Sequence, residues 1–137
     1  MENYIYCVSN YKVMDVNDTT RLDKTNGVKM NWYTTRIFII DGIHHHEHNR
    51  YYYRYEDACR YFNDLANDAL YELGCKGIFI DDSITQFIKK VKNNKIRYRN
   101  DNDIRHPRSF TIENYKDETC KEQKEFRKIL IRKIQIR

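Results

Sequence analysis

The chain has 137 residues, of which 33% are charged and 14% aromatic, and a formal net charge of +5. That length fits one domain with a single modest core, which buries roughly two-thirds of the unfolded surface. The longest apolar run, residues 37–40 (IFII), is far short of the about 20 residues a membrane span needs, and the opening MENYIYCVSN carries neither the basic nor the apolar stretch of a secretory signal, so the expected setting is the cytoplasm, with no membrane partner.

Four cysteines, Cys7, Cys59, Cys75 and Cys120, are widely spaced and contain no CxxC pair, so they read as reduced, small core residues. Four glycines, one proline and three alanines stand against abundant Asn, Lys, Ile and Tyr. This is the codon bias of an AT-rich genome, such as that of a phage, a large DNA virus or a low-GC bacterium. Charge is unevenly divided. Residues 1–88 hold nine Lys/Arg and thirteen Asp/Glu, whereas residues 89–137 hold sixteen and seven. A polyanionic partner is therefore expected at the last third.

In chain order, residues 4–16 alternate and read as extended, and 17–27 (NDTTRLDKTNG) as a polar turn. Residues 32–40 (WYTTRIFII) form a strong strand by their aromatic and β-branched content, and 50–55 a second. Between them Asp41-Gly42 is a hairpin signal. HHHEHN has poor strand propensity, however, so the favoured reading is a longer loop over 42–49 with the histidines at its tip. Residues 56–73 form the main helix, with Ala58, Phe62, Leu65, Ala66, Ala69, Leu70 and Leu73 on one face, Glu56 and Asp57 at its positive end and Gly74 just past its stop.

A short strand over 77–80 follows. Ser83 then reads as the N-cap of a second, short helix bearing Ile84, Phe87, Ile88 and Val91. Residues 95–99 (KIRYR) and 108–113 (RSFTIE) alternate and pair as a hairpin. The tail from 117 fits helix or strand. The expected fold is a single α+β domain: an antiparallel sheet packed against one main helix, with one or two shorter helices, acidic over the first two-thirds and basic over the last.

Four of the five histidines fall within residues 44–48. In an extended chain His44, His46 and His48 share a face, and His-x-His is a metal-ligand spacing. They are the weak metal candidates, and no cofactor is otherwise implied. The order strand, loop, strand, helix over about 36–70 resembles the ββα-metal (His-Me finger) nucleases. That resemblance implies His44 or His45 as the base and Asn49, Asn63, Asp64 or Asn67 as metal ligands, although this helix has no His and the family's His signature is absent. Cys59 near a helix start reads as a core-flank residue, and Asp81-Asp82 as a cap.

The basic third carries the partner-binding candidates Lys89, Lys90, Lys92, Lys95, Arg97, Arg99, Arg105 and Arg108. On KIRYR the cations Lys95, Arg97 and Arg99 share one face and Ile96 and Tyr98 the other. Such a ridge meets phosphates or acidic protein surfaces. Tyr52 and Arg54, in the Tyr-rich stretch, join as exposed stacking or interface candidates, while Tyr51, Tyr53 and Tyr55 are expected to cover the helix.

The expected function is that of a small non-enzymatic binding protein, phage- or virus-encoded, that occupies a host protein or nucleoprotein complex handling nucleic acid. A host-defence inhibitor in the style of anti-CRISPR proteins is one version. The alternatives are direct DNA or RNA binding through 89–108, and a metal-dependent nuclease built on the His44–His48 loop.

Overall fold

Two stretches rich in β-branched and aromatic residues flank one stretch of helical period, and the chain folds accordingly. The computed structural model describes residues 3–14, 27–30, 33–40, 43–91, 94–100, 106–115 and 123–136. Among them the elements are β1 (Asn3–Met14), β2 (Gly27–Met30), β3 (Tyr33–Ile40), β4 (Ile43–Tyr52), α1 (Tyr55–Glu72), β5 (Gln86–Val91), β6 (Asn94–Asn100), β7 (Arg108–Tyr115) and β8 (Gln123–Ile136). The eight strands form one antiparallel sheet in the order β2-β3-β4-β1-β8-β7-β6-β5. Two meanders, β2 to β4 and β5 to β8, meet on β1, and α1 connects them across one face.

The helix lies where its apolar period puts it. Ala58, Cys59, Phe62, Ala66, Ala69 and Leu70 are buried, and Glu56 and Asp57 occupy the first turn. Its end is a Schellman motif. Cys75 N–H bonds to Leu70 O at 3.0 Å and Gly74 N–H to Tyr71 O at 2.9 Å, with Gly74 at φ 73°. That left-handed value suits glycine because a Cβ is penalised there.

Alternation gives the sheet its apolar underside. Cross-strand neighbours Tyr98, Phe110 and Ile129, then Ile96 and Ile112, then Val8 and Ile131, all face the helix and are fully buried or nearly so. Phe62 meets Tyr98 at 6.0 Å between ring centroids, and Phe87 meets the same ring at 5.8 Å.

Three expectations need correction. The histidines form no loop. Ile40 pairs with Ile43, which leaves two residues for the hairpin connection, and His44 to His48 lie inside β4 between β3 and β1. Backbone pairing on both sides outweighs the low strand propensity of histidine. Residues 86–91 are strand, not a second helix: β5 pairs with β6 in a register that places Val91 opposite Asn94. The apolar spacing is helical and does not alternate, since Phe87 and Val91 take one face of the strand and Ile88 the other; pairing with β6 through the hairpin overrides it.

Residues 77–80 join no strand. Ile80 is instead held by one side chain, with Asn67 Oδ1 accepting from Ile80 N–H at 2.7 Å and Asn67 Nδ2 donating to Ile80 O at 3.0 Å. The ambiguous tail resolves as β8, and most of the expected turn over 17–27 lies outside the described residues.

Asn67→Ala leaves both backbone groups of the fully buried Ile80 unpaired. We expect a loss of about 2 kcal/mol or more in equilibrium urea unfolding, since each orphaned buried group costs about 1–3 kcal/mol. Asn67→Ala unfolding at the wild-type midpoint would show that water replaces the clamp.

Candidate functional site

α1 covers one face of the sheet; on the other, no described element packs. Strand alternation sends a defined set of side chains to that uncovered face. One row crosses five strands, pairing Glu47 with Tyr11, Tyr11 with Lys128, Lys128 with Thr111 and Thr111 with Arg97. The next row runs Asn49, Ser9, Leu130, Ser109, Arg99. Arg132 lies beyond Leu130, and Lys90 and Lys95 face each other at the β5–β6 edge. Arg97 and Arg99 are exposed, about 7 Å apart along the strand, and Lys128 lies two strands from Arg97, about 10 Å. Cations therefore dominate the half of this face built by β5, β6 and β8.

Beneath the larger side chains a polar chain is buried. Arg132 Nη2 donates to Cys7 Sγ at 3.6 Å. Cys7, 0% exposed, lies 3.8 Å from Ser9 Oγ and from Asn49 Oδ1. Ser9 Oγ donates to Asn49 Oδ1 at 2.6 Å, and Asn49 Nδ2 donates to Glu47 Oε1 at 3.0 Å. Alongside, the Tyr11 hydroxyl hydrogen-bonds His45 Nδ1 and the two rings stack, 5.6 Å apart and 28° from parallel. Tyr11, Glu47, Lys128, Leu130 and Arg132 line a shallow cavity of about 400 Å³.

The partner-binding candidates separate into groups. Lys90, Lys95, Arg97 and Arg99 stay together on the uncovered face. Lys89 pairs with Ile96 and points to the helix side, although it is exposed. Lys92 and Arg105 lie outside the described residues. Arg108 does not belong to the ridge. It is 4% exposed on the helix side, where Nη1 donates to Asn63 Oδ1 and pairs with Asp82, each at 2.9 Å.

Tyr52 also faces the helix, against Tyr61 and under Arg50. Tyr51, not Tyr52, takes the uncovered face, Tyr53 is 65% exposed and Tyr55 opens the helix. Of the expected trio only Tyr55 packs on the core. Arg54 precedes the helix and pairs loosely with Glu56, at 3.8 Å between exposed groups. Tyr52 and Arg54 sit four strands from the ridge.

His46 and His48 share the helix side of β4 with the position of His44, and His45 and Glu47 take the other. Among the described residues no three His, Cys, Asp or Glu side chains come together as a metal site. The ligands implied by the nuclease resemblance are engaged elsewhere: Asn63 with Arg108 and Asp82, Asn67 with Ile80, Asn49 with Ser9 and Glu47. Burial raises the Cys59 thiol above its ordinary value. Burial and the adjoining Cys59 push Tyr55 up to about 12. Asp81 caps a turn rather than a helix, accepting from Ser83 N–H at 2.8 Å. Lys128, Arg132, Tyr11 and Glu47 escaped the sequence reading because their common face exists only once β1, β4 and β8 are paired.

No family model, curated protein or solved structure matches the chain.

Two pH responses follow from the geometry. Burial lowers the His46 and His48 pKa values, helped by Lys12 at His46 and by His46 and Arg50 at His48. Depressed histidines favour the fold fully above their unfolded value, so stability should decline as pH drops below about 6.5. Hydrogen bonds from Asn63 and Arg108 lower Asp82, whose contribution is full above the carboxylate range and is lost below about pH 4. In thermal melts from pH 8 to 3, His48→Gln should flatten the first decline and Asp82→Asn the second. A Tm that rises on acidification would contradict both assignments.

Proposed function

We propose that this is a non-enzymatic binding protein that lays its uncovered sheet face against a nucleic acid. The observation that carries the reading is the grouping of Lys90, Lys95, Arg97, Arg99, Lys128 and Arg132 on a face that no described element covers. Long cationic side chains over a pleated surface neutralise phosphates and release their counterions, which gives affinity without a catalytic group. Thr111 and Ser109 between them add neutral hydrogen-bonding groups of the kind that fix a backbone in place. A protein of this size seated on the nucleic-acid path of a larger complex would block that path sterically, which is how a phage or viral inhibitor of host defence would use the same face.

One observation favours a protein partner as a second reading. Ile88 is 63% exposed, Ile134 37% and Ile136 40%, and all three lie on the rim of this face. An apolar rim beside arginines also suits a protein interface with an acidic partner.

The test is binding of the metal-stripped protein to labelled single- and double-stranded DNA and RNA at low and near-physiological salt. We expect affinity to fall steeply with salt. Arg97→Glu and Lys128→Glu should each weaken binding to all sequences and reduce the salt slope by about 1, while Arg54→Glu changes little. Binding only at low salt would leave the face to a protein partner. Cleavage on adding Mg²⁺ or Mn²⁺, lost with His44→Ala and His45→Ala together, would restore the nuclease reading.

A further inference from the structure

We infer that β5 is a docking edge for an extended, acidic segment of a protein partner, which adds to the sheet as a further strand. The site is the edge of the strand and not the uncovered face, so the inference goes beyond the proposed function and does not depend on it.

β5 ends the sheet. It pairs with β6 on one side, and among the described residues no strand pairs with its other side. Every second residue of such a strand turns its N–H and C=O outward. Gln86, Ile88, Lys89 and Lys90 are exposed, Ile88 at 63%, so the edge is reachable along most of its length.

The outward groups select a peptide. They present donors and acceptors in alternation at the repeat of an extended chain, about 3.3–3.4 Å per residue. Another strand answers both kinds. A phosphate backbone offers its acceptors to the N–H groups and leaves the carbonyls to water.

Charge then selects among peptides. Lys89 and Lys90 stand on opposite faces of β5, and on β6 Lys95 lies across from Lys90 and Arg97 across from Ile88. Neither strand contains an Asp or Glu. A strand with carboxylates gains cross-strand charge pairs here, and a basic one is repelled. Lysine on an edge is also the common guard against edge-to-edge association. It acts against a second copy of this chain, since two β5 edges would bring both pairs of lysines together, and it leaves an acidic strand as the favoured occupant.

Ile88 sets the pattern. It lies on the uncovered face between Gln86 and Lys90, while Lys89 takes the helix side. An alternating strand would put apolar side chains beside Ile88 and carboxylates beside Lys89 on the other face. Strand addition of this kind takes its affinity from main-chain hydrogen bonds and its specificity from alternate side chains.

The experiment measures fluorescence anisotropy of a labelled eight-residue peptide of alternating valine and glutamate, and of its counterpart with lysine in place of glutamate, at near-physiological salt. The wild-type protein should bind the glutamate peptide about tenfold more tightly. Lys89→Glu should weaken that binding about fivefold, the size of a strong cross-strand charge pair, and leave oligonucleotide binding nearly unchanged, because Lys89 lies off the cationic face. Lys128→Glu, on that face, should leave the peptide unchanged. Amide hydrogen exchange over residues 86–91 should slow when the peptide is bound, a readout that adhesion of side chains alone would not give. Thermal melts check that both variants fold.

Equal binding of the two peptides, no binding below about 1 mM, or unchanged exchange over 86–91 would overturn the inference. So would a peptide lost with Lys128→Glu and kept with Lys89→Glu, which would seat it on the uncovered face. Protection of β5 that rises with protein concentration in the absence of peptide would overturn it too, by putting a second copy on the edge. The sheet-face reading is decided separately, by the oligonucleotide affinities.

Discussion

The pairing of β1 with β8 holds the rest of the molecule in place. Ten consecutive partners, from Asn3 with Ile136 to Lys12 with Arg127, join the first and last strands. β1 also pairs with β4 on its other side, so the two meanders become one sheet only through this strand. The helix seat depends on it, because Val8, Ile129 and Ile131 come from these two strands and complete the apolar surface begun by β6 and β7. So does the uncovered face, since Tyr11 and Lys128 are opposite one another only in this register. The pairing closes nearly the whole chain into one loop, so these contacts must offset a large closure entropy.

A second constraint follows from the strict period of two. Slipping β8 by one residue would turn Ile129 and Ile131 outward and drive Lys128, Leu130 and Arg132 against the helix. The apolar face thereby fixes the position of the cationic one. Buried arginines on the helix side strengthen this discrimination. Arg108, held by Asn63 and Asp82, and Arg127, 3.5 Å from Glu72 at the end of α1, have partners only in the native register. A buried cation without its carboxylate is far more costly than the pair, so such contacts punish misalignment more than they stabilise the fold.

How much of this was legible varied with how local the signal was. KIRYR gave β6 and its two faces because Ile96 and Tyr98 alternate without exception with Lys95, Arg97 and Arg99. The helix was legible from its spacing and from Gly74. The histidine strand was not, because no property of His44 to His48 favours extension; their neighbours on β3 and β1 impose it. β5 was misread because Ile84, Phe87, Ile88 and Val91 follow the helical period, while in the strand Phe87 and Val91 face one side and Ile88 the other, an arrangement only the pairing with β6 reveals. Arg108 follows its neighbours in sequence as one more cation, and only the β7 register shows that it points inward. Lys128 and Arg132 were obscured because β8 is a central strand with apolar residues on both faces, Ile129 and Ile131 on one and Leu130 and Ile134 on the other.

Among the described residues, part of the uneven division of charge along the chain is also a division in space. Among the described residues of the acidic first two-thirds, five carboxylates lie on α1, where Glu56, Asp64, Asp68 and Glu72 are exposed and Asp57 partly so. The sheet lies between them and the cations of β5, β6 and β8. Among the described residues, exposed carboxylates lie along the helix and a group of cations lies on the opposite face of the sheet, with Glu47 sharing the sheet face and Arg60 the helix. Under the proposed function, this arrangement would draw a polyanion to the sheet face rather than to the helix and orient the encounter before contact. A sheet face that merely used charge to stay soluble would have no need of that asymmetry, because scattered charges of both signs serve solubility as well.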